Sequence, residues 1–187
     1  RGLDMDAWFE GLRAGRAFVS SGPLVELTID GRGPGEQVDL PADGNTVDVI
    51  GRVRSVTPLD RVFLVCNGET AFEAPVGGDR RLAQFRMRQR VDNSGWCHLR
   101  AEGATGDRFP MDVAYVQGFT NPVWIQVGDQ RARSAEAADY ALRWIDTLQG
   151  MADAWPGWRA EKERAHVFAQ FDEAREVYRR FARESVD

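Results

Sequence analysis

Leu24-Val25-Glu26-Leu27-Thr28-Ile29-Asp30-Gly31-Arg32-Gly33-Pro34-Gly35 is the stretch on which the fold turns. Val25, Leu27 and Ile29 alternate with Glu26, Thr28 and Asp30, the period of two that puts one face of a strand into a core and the other into water. The Gly-Arg-Gly-Pro-Gly run then breaks the strand. The same pattern recurs downstream. Val47, Val49 and Val53 form a second face, and Val62, Leu64 and Cys66 a third, closed by Asn67-Gly68, the strongest short hairpin signal in the chain. Thr70–Ala74, Leu82–Val91, Trp96–Glu102, Asp112–Gln117 and Val123–Val127 follow, giving about eight short strands separated by Gly, Pro, Asn and Asp. No long helical pattern lies between them, which argues against parallel βαβ units. The reading is a mainly β domain over residues 18–130, an antiparallel immunoglobulin-like sandwich.

The flanks are helical. Asp4 or Asp6 caps a short helix whose Trp8, Phe9 and Leu12 share a face, with Gly15 as its stop, so residues 1–17 read as a helix and linker. After residue 130, Ala138, Ala141, Leu142, Ile145 and Leu148 mark a helix from about Ser134, its cap, to Gly150, its stop. Trp155-Pro156-Gly157-Trp158 is a turn. Val167, Phe171, Ala174, Tyr178 and Phe181 then line a last helix over about Glu161–Ser185. Residues 131–187 therefore read as a two-helix appendage packed on the sandwich.

The chain has 187 residues, enough to bury a core without a metal or a disulfide. Its 24 basic against 29 acidic residues, net charge −5, weigh against nucleic acid or an anionic membrane as partner. No apolar run is long enough to span a bilayer. The two histidines are the most restrictive count. His98 and His166 stand far apart and outside any metal-ligand spacing or nucleophile motif, so no metal or catalytic residue is assigned in this chain. Cys66 and Cys97 each lie in an apolar run and read as reduced core thiols; a disulfide between two strands is the alternative that geometry decides. The start at Arg1 rather than methionine predicts a piece of a longer protein.

Two constellations carry candidate chemistry. Arg86, Arg88 and Arg90 project from one strand face, either as an anion site or as a solvated face paired with acidic neighbours; the acidic balance favours the second. Trp96 and Trp124, two of six tryptophans, offer either a platform for stacking sugars or buried core, and their apolar neighbours favour core. Arg100 joins Arg86, Arg88, Trp96 and Trp124 as a possible ligand contact. The Gly31–Gly35 loop lacks the helix and the Lys-Ser or Lys-Thr of a phosphate loop, so it reads as a turn.

The run from Ala7 to Leu24, with Trp8, Leu12, Gly15-Arg16, Phe18-Val19-Ser20 and Gly22-Pro23-Leu24 in order, resembles the Trp-x₃-Leu-x₂-Gly-Arg-x-Phe-Val-x₂-Gly-Pro-Leu stretch of CehA/McbA-type metallohydrolases of the PHP superfamily. Weaker matches continue in the same order through Val25–Gly35, Pro58–Val62 leading to Asn67-Gly68, Trp96–Arg100, Thr120–Ile125, the helix with Tyr140 and Trp144-Ile145-Asp146, and Glu173–Tyr178. In that family the His- and Asp-rich divalent-metal site belongs to a catalytic PHP domain lying before this run. The resemblance thus implies that this chain is a non-catalytic accessory sandwich, with no cofactor of its own, and that its partner is an upstream PHP-like domain of the same polypeptide. The chain departs from its relatives at Ser20-Ser21, where they often carry Thr-Asn, and at Phe119, where they often carry His.

The residues themselves add a physical expectation. Gly22-Pro23 bends the chain into the first strand, and Arg16 is placed to lock that bend onto a carboxylate or carbonyls. Trp8, Arg16, Phe18, Ser20, Gly22 and Pro23 are then the interface candidates, and Trp8, Phe9 and Phe18 should stand exposed if their partner is absent. Two other functions compete with the accessory reading. One is a carbohydrate- or other ligand-binding module. The other is a stand-alone carboxylate enzyme, which requires a cleft gathering several Asp or Glu with Arg86 or Arg100.

Overall fold

Asp30-Gly31 and Asn67-Gly68 adopt positive φ (47° and 76°; 52° and 91°), the conformation that turns a strand back in two residues and suits its right-handed twist. The computed structural model containing them describes residues 4–103 and 115–185. It forms two compact units, Arg1–Gln130 and Arg131–Asp187.

The first unit is β-rich and sandwich-like. One sheet has three strands, β2 (Leu24–Ile29), β4 (Asn45–Arg54) and β7 (Leu82–Val91), antiparallel with β4 in the middle. The other has seven: β1 (Phe18–Ser20), β3 (Gln37–Leu40), β5 (Arg61–Cys66), β6 (Glu69–Glu73), β8 (Gly95–Gly103), β9 (Val116–Thr120) and β10 (Val123–Val127). β8 is its centre. One side of β8 pairs with β5, which pairs with β6; the other is shared between β9 and β10, separated by Asn121-Pro122. β1 borders β9 antiparallel, whereas β3 borders β10 in parallel. The expectation of a purely antiparallel sandwich is corrected at that pair. After the Gly33-Pro34-Gly35 break the chain crosses from the three-stranded sheet to the other, and enters it running in the direction of β10.

Side chains alternate as their periodicity requires. Val25, Leu27 and Ile29, with Val47, Val49 and Val53, face Val62, Leu64, Leu99, Val123 and Ile125 in one continuous buried cluster. Of the expected strands, Asp112–Gln117 is shifted: β9 begins at Val116, and residues 112–114 lie outside the described ones.

Cys66 and Cys97 lie opposite each other in the β5–β8 register and form a disulfide. The reading as reduced thiols is corrected: pairing on neighbouring strands, both side chains turned inward, brings the sulfurs together. Thr120 is a buried polar side chain within a strand, β9. Its buried hydroxyl accepts the Leu99 N–H at 3.1 Å, next to the place where Pro122, with no N–H, interrupts the ladder. Thr120→Val keeps the shape and removes that acceptor, so urea unfolding should show a loss of about 1–3 kcal/mol. An unchanged midpoint would mean that the Leu99 amide is satisfied elsewhere.

The second unit is a helical hairpin of α2 (Ala135–Asp153) and α3 (Glu161–Arg183). Ser134 caps α2 by accepting the Ala137 N–H at 3.2 Å. α2 does not stop at Gly150; it continues to Asp153, and Pro156 ends the helical run, since the residue before a proline is driven from the helical region. Ala138 and Ile145 are buried, and Arg175 of α3 holds Asp146 of α2 at 2.9 Å. The indole N–H of Trp158 donates to the Ala152 carbonyl at 3.1 Å and fastens the turn.

Candidate functional site

Helix α1 (Met5–Arg13) is the part of the first unit that its core does not explain. Asp4 caps it, accepting the Ala7 N–H at 3.1 Å. Met5, Trp8, Phe9 and Leu12, spaced as one helical face, are all exposed, Trp8 at 54%, and α1 buries no residue. Nine residues make a marginal helix in water without tertiary contacts. This one is held at its C-terminal end instead.

That hold is a backbone corner assembled from three distant segments. Gly15 turns out of α1 at φ 73°, and Gly35, at φ 83°, lies so close that a Cβ on it would come within 1.9 Å of the Ala14 carbonyl oxygen. Asn121 closes the corner: its side-chain amide donates to the Gly15 carbonyl at 3.2 Å, and its backbone N–H donates to the Ala17 carbonyl at 3.0 Å. The Gly35 N–H donates to the Pro122 carbonyl at 2.8 Å. Beyond the corner, the Ser20 hydroxyl accepts the Gly22 N–H at 2.8 Å and donates to the Pro23 carbonyl at 2.5 Å. Ser21 reaches β9, its hydroxyl accepting the Gln117 N–H at 3.0 Å. Pro23 is buried beneath this bend.

Arg16 does not lock the bend as expected. Its side chain is exposed and makes no hydrogen bond or ion pair among the described residues; Asn121, which composition and spacing did not single out, takes that role. Arg16 and Phe18 instead line two open grooves of about 480 and 450 Å³, one against Trp8 and Leu12 of α1, the other against Val25 and Leu27. Phe18 is exposed at 45%. Trp8, Phe9 and Phe18 therefore stand in solvent together.

The other candidate residues lie elsewhere. Arg86, Arg88 and Arg90 point outward from β7. Arg86 pairs with Asp48 at 2.8 Å, Arg88 stands across from Asp48 in the register, and Arg90 pairs with Asp92 at 2.7 Å. This is the solvated, acid-paired face. Arg100 leaves the opposite sheet and pairs with Glu102. Arg86 and Arg100 thus belong to different sheets, and no cleft among the described residues gathers them. Trp96 and Trp124 face each other in the β8–β10 register on the outer side of the seven-stranded sheet, half-buried and 44% exposed. The expectation of buried core fails for both. Among the described residues no three His, Cys, Asp or Glu side chains stand together so as to hold a metal ion. No described helix is long and apolar enough to cross a membrane.

His98 lies on the same outer face, its ring 5.7 Å from that of Trp96 and 6.3 Å, edge-on, from that of Phe119. His166 is exposed on α3. Burial, and after it the Arg100 guanidinium, hold His98 below the ordinary histidine value. The folded chain therefore stays neutral there while the unfolded chain takes up a proton, so stability should fall as the pH drops below about 6.5. Melting temperatures across that range check this, and His98→Gln should flatten the profile; an equal slope in both chains would assign the effect to other groups.

No protein-family model matches this chain, and no curated protein or solved structure is significantly similar to it.

Proposed function

We propose that this chain is the accessory β-sandwich and helical region of a longer metal-dependent hydrolase of the CehA/McbA type, docked through α1 and the Phe18 edge on a catalytic PHP domain that precedes it. One observation carries the reading: a short helix with its whole apolar face in water is nonetheless fixed in direction by the Gly15–Gly35–Asn121 corner. A fixed, uncovered apolar face is what a docking surface requires. The corner is also built from residues in the stretches that carry the family resemblance, Gly15, Gly35 and Asn121-Pro122. On this reading the divalent metal and the hydrolytic chemistry belong to the preceding domain, and the sandwich shapes access to it. An immunoglobulin-like reading of the sandwich rests on its two sheets closing over one buried core.

Hydrogen exchange of residues 5–13 tests the proposal, comparing this chain with the natural polypeptide that contains it. Docking should slow the α1 amides by about tenfold or more in the longer protein. Equal exchange in both, or a natural polypeptide with no His-rich metal motifs before Arg1, overturns it.

A further inference from the structure

The outer face of the seven-stranded sheet carries a groove of about 400 Å³ between β5 and β8. Phe63 and Val65 of β5 form one side, and Trp96 and His98 of β8 the other. Trp124, across from Trp96 on β10, extends the aromatic surface beyond it. Two ion pairs edge the groove. Arg61 grips Glu73 with both arms of its guanidinium, at 3.1 and 3.0 Å, and Arg100 pairs with Glu102.

Those pairs decide the charge of the ligand. Each guanidinium facing the groove is already matched by a carboxylate, and His98, disfavoured in its charged form by burial, adds none near neutral pH. A phosphate or carboxylate would have to displace an internal partner, and a cation would compete with an arginine for the same carboxylate. A neutral ligand faces neither cost. It meets fixed donors from Arg61 and Arg100 and a fixed acceptor from Glu102 at one end of the groove, and the aromatic surface of Trp96 and His98 toward the other. Hydroxyl groups both donate and accept, and the C–H face of a sugar ring matches the π-face of an aromatic side chain. From Trp96 to Glu102 the groove edge runs six strand steps, about 20 Å at the usual strand rise, the scale of several linked rings rather than one.

We propose that this groove binds a neutral oligosaccharide, stacked on Trp96 and His98 and hydrogen-bonded by the Arg61–Glu73 and Arg100–Glu102 pairs. The inference does not depend on a preceding domain. The groove and its walls lie within the first unit.

Titration of the isotope-labelled 187-residue chain with cellohexaose, xylohexaose, maltohexaose and chitin hexaose, reading the tryptophan indole N–H signals, tests it. At least one of the four should shift Trp96 and Trp124 saturably, and Trp96→Ala and Arg100→Ala should each weaken that binding by about tenfold or more. Arg100→Ala removes half of an exposed ion pair and leaves the fold intact, so its loss of binding cannot come from unfolding. The proposal is overturned by an absence of saturable shifts with all four sugars up to about 10 mM. Shifts confined to Trp8, Trp144, Trp155 and Trp158 overturn it equally, as does parental affinity in both variants. Shifts at Trp96 that follow protein concentration and not sugar assign the face to a second copy of the chain and also overturn it.

Discussion

A chain carrying Gly35→Ala is expected to lose about 2–4 kcal/mol of stability, and its first helix to lose protection from hydrogen exchange before the sandwich does. Two costs combine. At φ 83° any side chain strains the backbone, and the new methyl would lie 1.9 Å from the Ala14 carbonyl oxygen and 2.7 Å from the Gly15 carbonyl carbon. Both are backbone atoms of the corner, so no side chain can rotate away; the helix must move. Gly31→Ala separates the two costs. Gly31 has a similar φ, 76°, with nothing within 4 Å of its would-be Cβ, so only the strain of about 1 kcal/mol applies. Urea unfolding of both variants reads the difference, and equal losses would show that the close approach at Gly35 contributes nothing.

Removal of the Cys66–Cys97 bond has a comparable expected effect. The bond closes a loop of 31 residues, and the chain-entropy estimate for that length is about 3–4 kcal/mol. Cys66→Ala with Cys97→Ala, or the parent chain treated with a thiol, should therefore unfold at a distinctly lower urea concentration than the oxidised chain. Alanine is the better replacement, because Cys97 is buried and a serine there would bring an unpaired hydroxyl. Identical midpoints with and without the thiol would sink the prediction. β5 and β8 also form the two walls of the aromatic groove, so the bond ties them together below it.

Much of this architecture is legible in the amino-acid pattern, and the losses have identifiable causes. Leu82–Val91 is a strand over the expected residues because Phe85, Met87 and Val91 alternate with three arginines over a long run. β1 and β3 are too short to declare themselves; they are strands because β9 and β10 lie beside them, a non-local fact. Pairing direction is likewise absent from a strand's own residues, so the parallel pair was out of reach. The two tryptophans teach a different lesson. Trp96 is out of phase with Cys97 and Leu99, and Trp124 with Val123 and Ile125, so alternation turns both rings outward however apolar their neighbours are. The corner was legible only as separate turn signals. Gly15, Gly35 and Asn121 each suggest a bend, and nothing in their spacing says that the three bends touch.

The divided side of β8 has a consequence for the order of events on the ribosome. β1 and β3, among the first strands made, border β9 and β10, the last, and Asn121 between those last two holds the end of α1. The three-stranded sheet has all its members once Val91 has emerged, but the edges of its companion wait for Val127. A chain interrupted before Asn121 would carry a loose first helix, however well its early strands had paired. Presentation of the Trp8 face in its fixed direction thereby reports that the chain has been made at least as far as Asn121.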